Sequence, residues 1–328
     1  MDLGNRRNAL KASWILLLAT VFWGFSFLGM KALGLVQQGL LPGGSTWFFA
    51  SLSLVARFGI SSLILLLWSV RTLPGMTRLE FQQGIGLGLV GGVGLLFQMD
   101  AVNYTSASTA AFLTQCYCLF IPVFVAIRNR CLPKKFVALS SILVVMGVAI
   151  LSKFHWQEMR LGRGEWEAIV ASMFFTAQIL WLERPVFSRN NMNHVTIIMF
   201  VVNLLSVLPT FFLVKPPWHQ VVAVCNSAPV LLLYVILTLF CTLGAYTLMN
   251  YWQRHIDATR AGLIYCAEPL FASLFALFIP QLFSGFAAIN YPNETLTANL
   301  LIGGGLITGA NILVLLEAVY ISKRSPAS

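Results

Sequence analysis

Charge is what this sequence has least of: 10% of its 328 residues are Asp, Glu, Lys or Arg, against about a quarter in a soluble domain. Long polar segments are also missing, so no part of the chain reads as a separate soluble domain. The six cysteines form no C-x-x-C: Cys116, Cys118, Cys241 and Cys266 fall inside apolar runs, Cys131 and Cys225 in loops. A disulfide framework and a thiolate metal site therefore lack a basis. The histidines, His155, His194, His219 and His255, are dispersed and make no H-E-x-x-H. No Ser, His and acid set falls at one depth, and no Walker sequence is present, which argues against an enzyme and against ATP-driven work by this chain alone. No cofactor and no metal are expected.

What is present is apolar: 58% hydrophobic and 13% aromatic residues. Runs such as SWILLLATVFWGFSFLG (13 to 29), ALSSILVVMGVAILS (138 to 152) and VLLLYVILTLFCTLGAYTLM (230 to 249) are nearly charge-free and have no polar face. Each is read as a membrane span, about 20 residues crossing roughly 30 Å of hydrocarbon. Breaking the chain at its Pro, Gly and charge clusters gives ten spans, 13–33, 47–70, 81–102, 105–127, 136–152, 165–187, 194–214, 229–252, 258–282 and 297–320. The chain is thus expected to be an all-α membrane protein. The N-terminal MDLGNRRNALK and the run after it are read as an uncleaved first helix, because the run is span-length and lacks a small-residue cleavage site. N-E-T at Asn293 is better explained by chance than as a glycan acceptor.

The net charge of +10 is spread in small clusters between apolar runs, which suits topology signals better than a nucleic-acid patch. With the N-terminus in the cytoplasm, the inner segments collect Arg6, Arg7, Lys11, Arg71, Arg78, Arg128, Arg130, Lys134, Lys135, Arg184, Arg189, Arg254, Arg260, Lys323 and Arg324. The outer ones keep Lys153, Arg160, Arg163 and Lys215, while Lys31 and Arg57 lie within spans. Fifteen against four places both termini in the cytoplasm, with the protein in the cytoplasmic membrane among lipid.

The stretch GIGLGLVGGVG (84 to 94) contains G-x-G-x-x-G at Gly86, Gly88 and Gly91. A nucleotide loop needs a strand before it and a βαβ unit around it. Here the stretch falls inside the third span, so its glycines are read as a packing device: Gly84, Gly88 and Gly92 recur at the four-residue spacing that lets helices approach closely. GGGLITG (303 to 309) is expected to repeat the device through Gly305 and Gly309.

A shift of about 151 or 152 positions aligns the two halves of the chain. Trp14, Ala19, Thr20, Phe22 and Trp23 fall on Trp166, Ala171, Ser172, Phe174 and Phe175; Ala107, Ala110, Leu119, Phe120 and Phe124 fall on Ala258, Ala261, Leu270, Phe271 and Phe275. Gly147, Ile150 and Leu151 meet Gly309, Ile312 and Leu313 after an extra stretch near 283 to 293. Five spans per half is an odd number, so the second copy must lie upside down relative to the first. The expected architecture is two inverted five-helix repeats, 13–152 and 165–320, with cytoplasmic tails 1–12 and 321–328.

ATVFWGFSF (19 to 27), ARFGISSLILLL (56 to 67), YTSASTAAFLTQ (104 to 115), IDATRAGLIYCAEPLFASLFA (256 to 276) and ETLTANLLIGGGLITGANIL (294 to 313) together resemble the EamA-like branch of the drug/metabolite transporter superfamily. The resemblance covers essentially the whole chain as two EamA-type repeats. It implies ten helices, alternating access, export of a small metabolite, and a central cavity lined mainly by helices 1, 3, 4, 6, 8 and 9. The chain departs from it where Cys118 stands opposite Pro269, with Pro122 four residues later, and where RNRCLPKK replaces the acidic residue that survives as Glu294 in the second repeat.

Arg57 and Glu268 each lie about ten residues into a span, near the bilayer midplane at 1.5 Å per residue, and a charge there is expected to face a partner or a wet cavity. Two readings stay open: an Arg57–Glu268 ion pair that fixes the second span against the ninth, or Glu268 as the group that couples a proton to substrate movement. Pro269 lacks an N–H and deprives the Tyr265 carbonyl of a helical partner, as Pro122 does for Cys118; a kink or a ligand-binding carbonyl would follow. Further cavity candidates are Trp23, Gln98, Gln115, Tyr117, Phe175, Gln178, Trp181, Asn250, Tyr265 and Asn311, whose aromatic faces and neutral hydrogen-bonding groups suit a small-molecule substrate; helix-to-helix hydrogen bonds are the competing explanation. Lys31 is expected to snorkel to the headgroups. The function expected is a secondary carrier for an amino acid or amphipathic compound, as a monomer or homodimer; a channel for a small polar solute is the alternative, disfavoured because the polar groups are scattered among aromatics.

Overall fold

The computed structural model describes residues 3–71, 73–128, 130, 135–151, 161–182, 184–214, 217–256, 261, 264–265 and 267–324. These are helices joined by short turns, with no strand among the described residues. Their order is α1 (Leu3–Leu40), α2 (Thr46–Ser69), α3 (Arg78–Tyr104), α4 (Ala107–Thr114), α5 (Tyr117–Arg128), α6 (Lys135–Leu151), α7 (Arg163–Leu182), α8 (Met192–Val214), α9 (Trp218–Cys225), α10 (Ala228–Ile236), α11 (Ala245–Trp252), α12 (Glu268–Ala276), α13 (Ile279–Ala287) and α14 (Ala298–Arg324). A π-helical segment, Leu237–Gly244, joins α10 to α11.

Among the described residues, five helical stretches are long and apolar enough to cross a membrane: Lys11–Leu40, Thr46–Ser69, Arg78–Tyr104, Met192–Val214 and Ala228–His255. The bent pair α12 and α13 makes a sixth if counted as one span. Large apolar side chains such as Leu67, Trp68, Phe212 and Leu213 stand exposed on the outside, a surface that lipid would cover.

Three expected spans are not simple rods. The fourth breaks into α4 and α5, where the N–H groups of Gln115 and Cys116 turn back to the carbonyls of Phe112 and Leu113 at 3.2 and 3.1 Å. The eighth carries the π segment. The ninth bends by 57° between α12 and α13, and Pro280 opens the first turn of α13, where a missing N–H costs little. After α13 the chain folds back. Tyr291 stacks on Phe283 with centroids 6.5 Å apart, and the Glu294 N–H donates to the Ala276 carbonyl at 2.8 Å. Pro269, too, sits in the first turn of its helix, just after helical Ile264 and Tyr265 and a turn at Ala267.

The first span outruns its expected end at residue 33 and continues to Leu40. The reason is a buried anchor: Gln37 Nε2 donates to Ser53 Oγ at 3.0 Å and to the Tyr234 hydroxyl at 3.1 Å. Gln37, beyond the expected end of the span, is thus helical and buried. Lys31 likewise finds a protein partner, donating to the Thr105 carbonyl at 2.9 Å, and does not depend on headgroups.

The third helix starts on a reciprocal cap. Glu80 N–H donates to Thr77 Oγ1 at 3.2 Å, and Thr77 N–H to Glu80 Oε2 at 2.9 Å. Its glycines then meet two neighbours. A Cβ at Gly84 or Gly88 would stand 2.5 Å from Ile198 Cβ or 2.6 Å from Val202 Cβ, and one at Gly92 would run into Ser206 Oγ; all three contacts are with α8, at matching four-residue steps. On another face, Gly86 is opposed to Trp181, Gly91 to Gln178 and Gly94 to Phe174 of α7. Lipid offers no hydrophobic drive between helices, so such close van der Waals contact is what holds α3 in place.

The second glycine cluster behaves differently from expectation. A Cβ at Gly305 or Gly309 would meet nothing within 4 Å. The close contacts of α14 fall elsewhere on the helix, where Gly304 lies against Phe112 and the Gly303 carbonyl would be 2.8 Å from a Cβ on Gly147. One residue of offset turns a helical position by about 100°, which carries Gly305 away from its neighbours.

Candidate functional site

The candidate site is a cavity of about 70 Å³ at the middle of the bundle. Trp23 and Ser26 reach it from α1, Arg57 from α2, Gln98 from α3, Thr114 from α4, Tyr117 from α5, and Phe175 and Gln178 from α7. Cys241 of the π segment, Tyr246 and Met249 of α11, Tyr265 and Glu268 complete it. Space of this size admits a few waters and is far below the roughly 300–1,000 Å³ that encloses a drug-sized ligand.

Its aromatic corner is built on Trp23. The indole meets the Tyr246 ring edge-on at 5.4 Å and the Tyr265 ring at 5.6 Å. Tyr265 is oriented in turn by donating to Gln253 Oε1 at 2.8 Å. The Trp23 Nε1–H is buried and has no acceptor among the described residues.

Arg57 is 1% exposed and borders the same space. The ion pair with Glu268 does not form: among the described residues, the Arg57 Nε donates to Thr242 Oγ1 at 2.9 Å and Nη1 has no partner. Thr242 is available for this because the π segment widens the helical turn, letting its hydroxyl donate to the Leu237 carbonyl, five residues back, at 3.0 Å. Such one-turn π distortions are frequent at functional sites.

Glu268 takes a different partner. Gln115, at the break between α4 and α5, donates from Nε2 to Glu268 Oε2 at 3.1 Å. The carboxyl sits in the first turn of α12, where the unpaired N–H groups of a helix start favour negative charge. The broken fourth span and the interrupted ninth thus meet through these two side chains.

Of the residues named from sequence, Trp23, Arg57, Gln98, Tyr117, Phe175, Gln178, Tyr265 and Glu268 come together around the cavity. Gln115 stands behind Glu268. Trp181 is not part of the lining; its indole donates to the Gln83 carbonyl at 3.2 Å, and the Arg184 guanidinium lies over its ring at 4.4 Å. Asn250 is also displaced, donating to Thr196 Oγ1 at 3.0 Å and bordering a second cavity. Side-chain statements about Asn311, Cys118 and Pro122 lie outside the described residues. Sequence reasoning passed over Ser26, Thr114, Cys241, Tyr246 and Thr242. The tyrosine was accessible as a polar aromatic in an apolar span; Thr242 acquires its role only through the π segment, which leaves no mark in composition.

Two larger cavities flank the central one. At the end of the bundle where α3 and α8 begin, a space of about 530 Å³ is bordered by Gln83, Arg184, Asn250, Arg254 and His255. At the opposite end, about 470 Å³ is bordered by Thr105, Ser106, Ser108, Glu165, Asn293 and Glu294. Each end is also laced by polar contacts. Glu80 accepts from the Asn191 N–H at 2.9 Å and pairs with His194 Nδ1 at 2.8 Å, tying α3 to α8. Opposite, Arg163 of α7 contacts Asp100 Oδ2 at 2.5 Å, Glu167 Oε1 at 2.7 Å and the Tyr104 hydroxyl at 2.6 Å, tying α7 to α3. No group of three His, Cys, Asp or Glu side chains that could hold a metal occurs among the described residues.

Residues 10–153 match the model of the EamA-like transporter family. An "Uncharacterized transporter" from Archaeoglobus fulgidus is 23% identical over 207 residues, covering 62% of this chain and 63% of that protein. The match thus spans less than two thirds of the relative's own length. A solved crystal structure superposes with a TM-score of 0.59 at 18% identity, covering 97% of this chain and 99% of its own, which is a likeness of fold. Residues 10–153 are an EamA-like transporter family domain, and the chain is a multi-pass membrane protein.

Proposed function

From that domain, we propose that the protein is a secondary carrier that moves a small metabolite, an amino acid or amphipathic compound, across the cytoplasmic membrane by alternating access. The observation that carries this reading is the central cavity. It is bordered by helices from both halves of the chain, holds Arg57 and Glu268, and lies between wider cavities at the two ends. A carrier needs one central site reachable from either side in turn, and laced contacts at each end that can open alternately.

The helix pairings support an inverted repeat of 13–152 on 165–320. In that reading α1 corresponds to α7, α2 to α8, α3 to the stretch from α10 to α11, α4 with α5 to α12, and α6 to α14. Contacts of α3 with α7 and α8 are then matched by those of α11 and the π segment with α1 and α2. Contacts of α1 with α12 are matched by those of α7 with α4 and α5, while α2 with α8 and α6 with α14 are self-matched. Both termini in the cytoplasm follow from the distribution of Lys and Arg along the sequence. Export is the direction that the family resemblance favours. No catalytic step and no cofactor enter the cycle.

Saturable counterflow of a labelled solute in proteoliposomes, screened over amino acids and amphipathic compounds, tests the carrier. Conductance of more than about a million solutes per second exceeds what microsecond-to-millisecond domain motions can gate and would overturn it.

A further inference from the structure

We propose that Arg57 is the anion-recognising residue of the central cavity and that the solute it selects carries a carboxylate, with the Trp23 indole as the second donor. The proposal rests on the carrier reading above, which it deepens by naming the substrate's charge. A guanidinium that is 1% exposed has been taken out of water, and a buried charge is retained only where a partner compensates it.

Among the described residues, no acid is that partner. Arg57 Nε is spent on the neutral Thr242 hydroxyl at 2.9 Å, and no described acid forms an ion pair with it. Among the described residues Nη1 has no acceptor, and neither has Trp23 Nε1. Both residues border the same cavity, so two hydrogen-bond donors lack acceptors beside one small space. Glu268, the acid in that lining, is engaged by Gln115 at 3.1 Å.

A carboxylate answers both deficits. It carries the missing charge, and its two oxygens accept from two donors. Guanidinium is the side chain whose planar fork best matches it. An amide can accept but leaves the charge uncompensated. An amine brings a like charge beside Arg57 and supplies no acceptor for its Nη1. Among the described residues the second cavity is consistent in sign, bordered by Arg184, Arg254 and His255.

The test is a binding titration on the full chain in nanodiscs, reading Tm and tryptophan fluorescence. The probes share one skeleton, butanoate, butanamide and butylamine, with chloride as a fourth arm. Butanoate is expected to raise Tm in a saturable manner, with the amide and the amine at least roughly tenfold weaker, the value of a charge-assisted hydrogen bond. Equal stabilisation by amide or amine, no stabilisation by butanoate, or equal stabilisation by chloride would overturn the assignment; these arms need only the unaltered protein. Arg57→Met is expected to abolish the butanoate response and Arg57→Lys to retain part of it, and a full response in a folded Arg57→Met protein would also overturn it. Counterflow separates the two readings. Counterflow insensitive to Arg57→Lys and Arg57→Met retires the anion site and leaves the carrier, whereas carboxylate binding without any counterflow retires the carrier and leaves the site.

Discussion

Arg57 of α2 and Thr242 of the π segment meet through a 2.9 Å hydrogen bond between Nε and Oγ1, joining residues 185 positions apart in sequence. The bond sets the direction of a buried guanidinium, and the hydroxyl stands ready because it donates to Leu237 in turn. Thr242→Val keeps the shape and removes the oxygen. It is expected to cost about 1–3 kcal/mol, the penalty of leaving a buried charged donor unsatisfied, and to weaken solute binding with it. Thr242→Ser restores the oxygen and is expected to recover most of both, as thermal unfolding and a binding titration of the two variants would reveal. Equal loss in Val and Ser variants would mean that the methyl group, not the bond, matters.

Glycine 88 and glycine 305 make a paired prediction. A Cβ at the first would come within 2.6 Å of Val202 Cβ and 2.7 Å of the Met199 carbonyl, whereas the second has open space around it. Gly88→Leu is therefore expected to destabilise by at least about 1–3 kcal/mol through overpacking and to impair transport by separating α3 from α8. Gly305→Leu is expected to leave thermal stability nearly unchanged. Reversal of this order in a thermal-unfolding comparison would contradict the packing assigned to the third span.

These cases mark where the sequence was readable. Span lengths, charge placement and the glycine spacing in GIGLGLVGGVG are local patterns with a fixed helical period, and they pointed to the apolar helices and to Gly84, Gly88 and Gly92. Depth in the bilayer follows from counting residues, which is why Arg57 and Glu268 could be expected at one level. Rotation about a helix axis is harder to read. A single residue of offset moved the contacts from Gly305 to Gly304, whereas Trp181 and Asn250 lie about one turn along the axis from Gln178 and Tyr246 and so fall beyond the lining. Breaks were hardest: the π segment and the turn at Gln115 arise where tertiary partners compensate lost helical bonds, and neither has a local sequence signature.

Arg163 is the crosslink between α7 and α3 at the end opposite the N-terminus. Its side chain is 44% exposed, but that of Asp100 is fully buried, so removing the arginine strands a carboxylate. Arg163→Ala is expected to cost about 1–2 kcal/mol, less than a fully buried pair would because solvent already screens the guanidinium. A double-mutant cycle with Asp100→Asn should give a coupling of at least about 0.5 kcal/mol. Arg163→Lys is expected to behave closer to alanine, since an ammonium is a point charge that cannot reproduce the fork reaching Asp100, Glu167 and Tyr104 together. If the contact also helps to close this end, a cysteine introduced at Ser108 should label faster in the alanine variant. Unchanged labelling would confine Arg163 to stability.

Glu268 bears on energy coupling. Its carboxyl borders the cavity, accepts from Gln115 at 3.1 Å and forms no ion pair among the described residues, so a proton can be added or removed there without breaking a salt bridge. Glu268→Gln preserves the shape and an oxygen that can still accept from Gln115, while removing the ability to bind and release a proton. Exchange of solute across a membrane at equal pH on both sides needs only the rocking of the loaded carrier, and it is expected to persist. Accumulation driven by a pH gradient requires a proton to travel with each cycle, and it is expected to fall to the level seen without a gradient. Measured in the same proteoliposomes, loss of gradient-driven flux with exchange retained identifies Glu268 as the coupling group. Gradient-driven flux that survives the substitution would reduce Glu268 to an element that positions α12 against the break at Gln115.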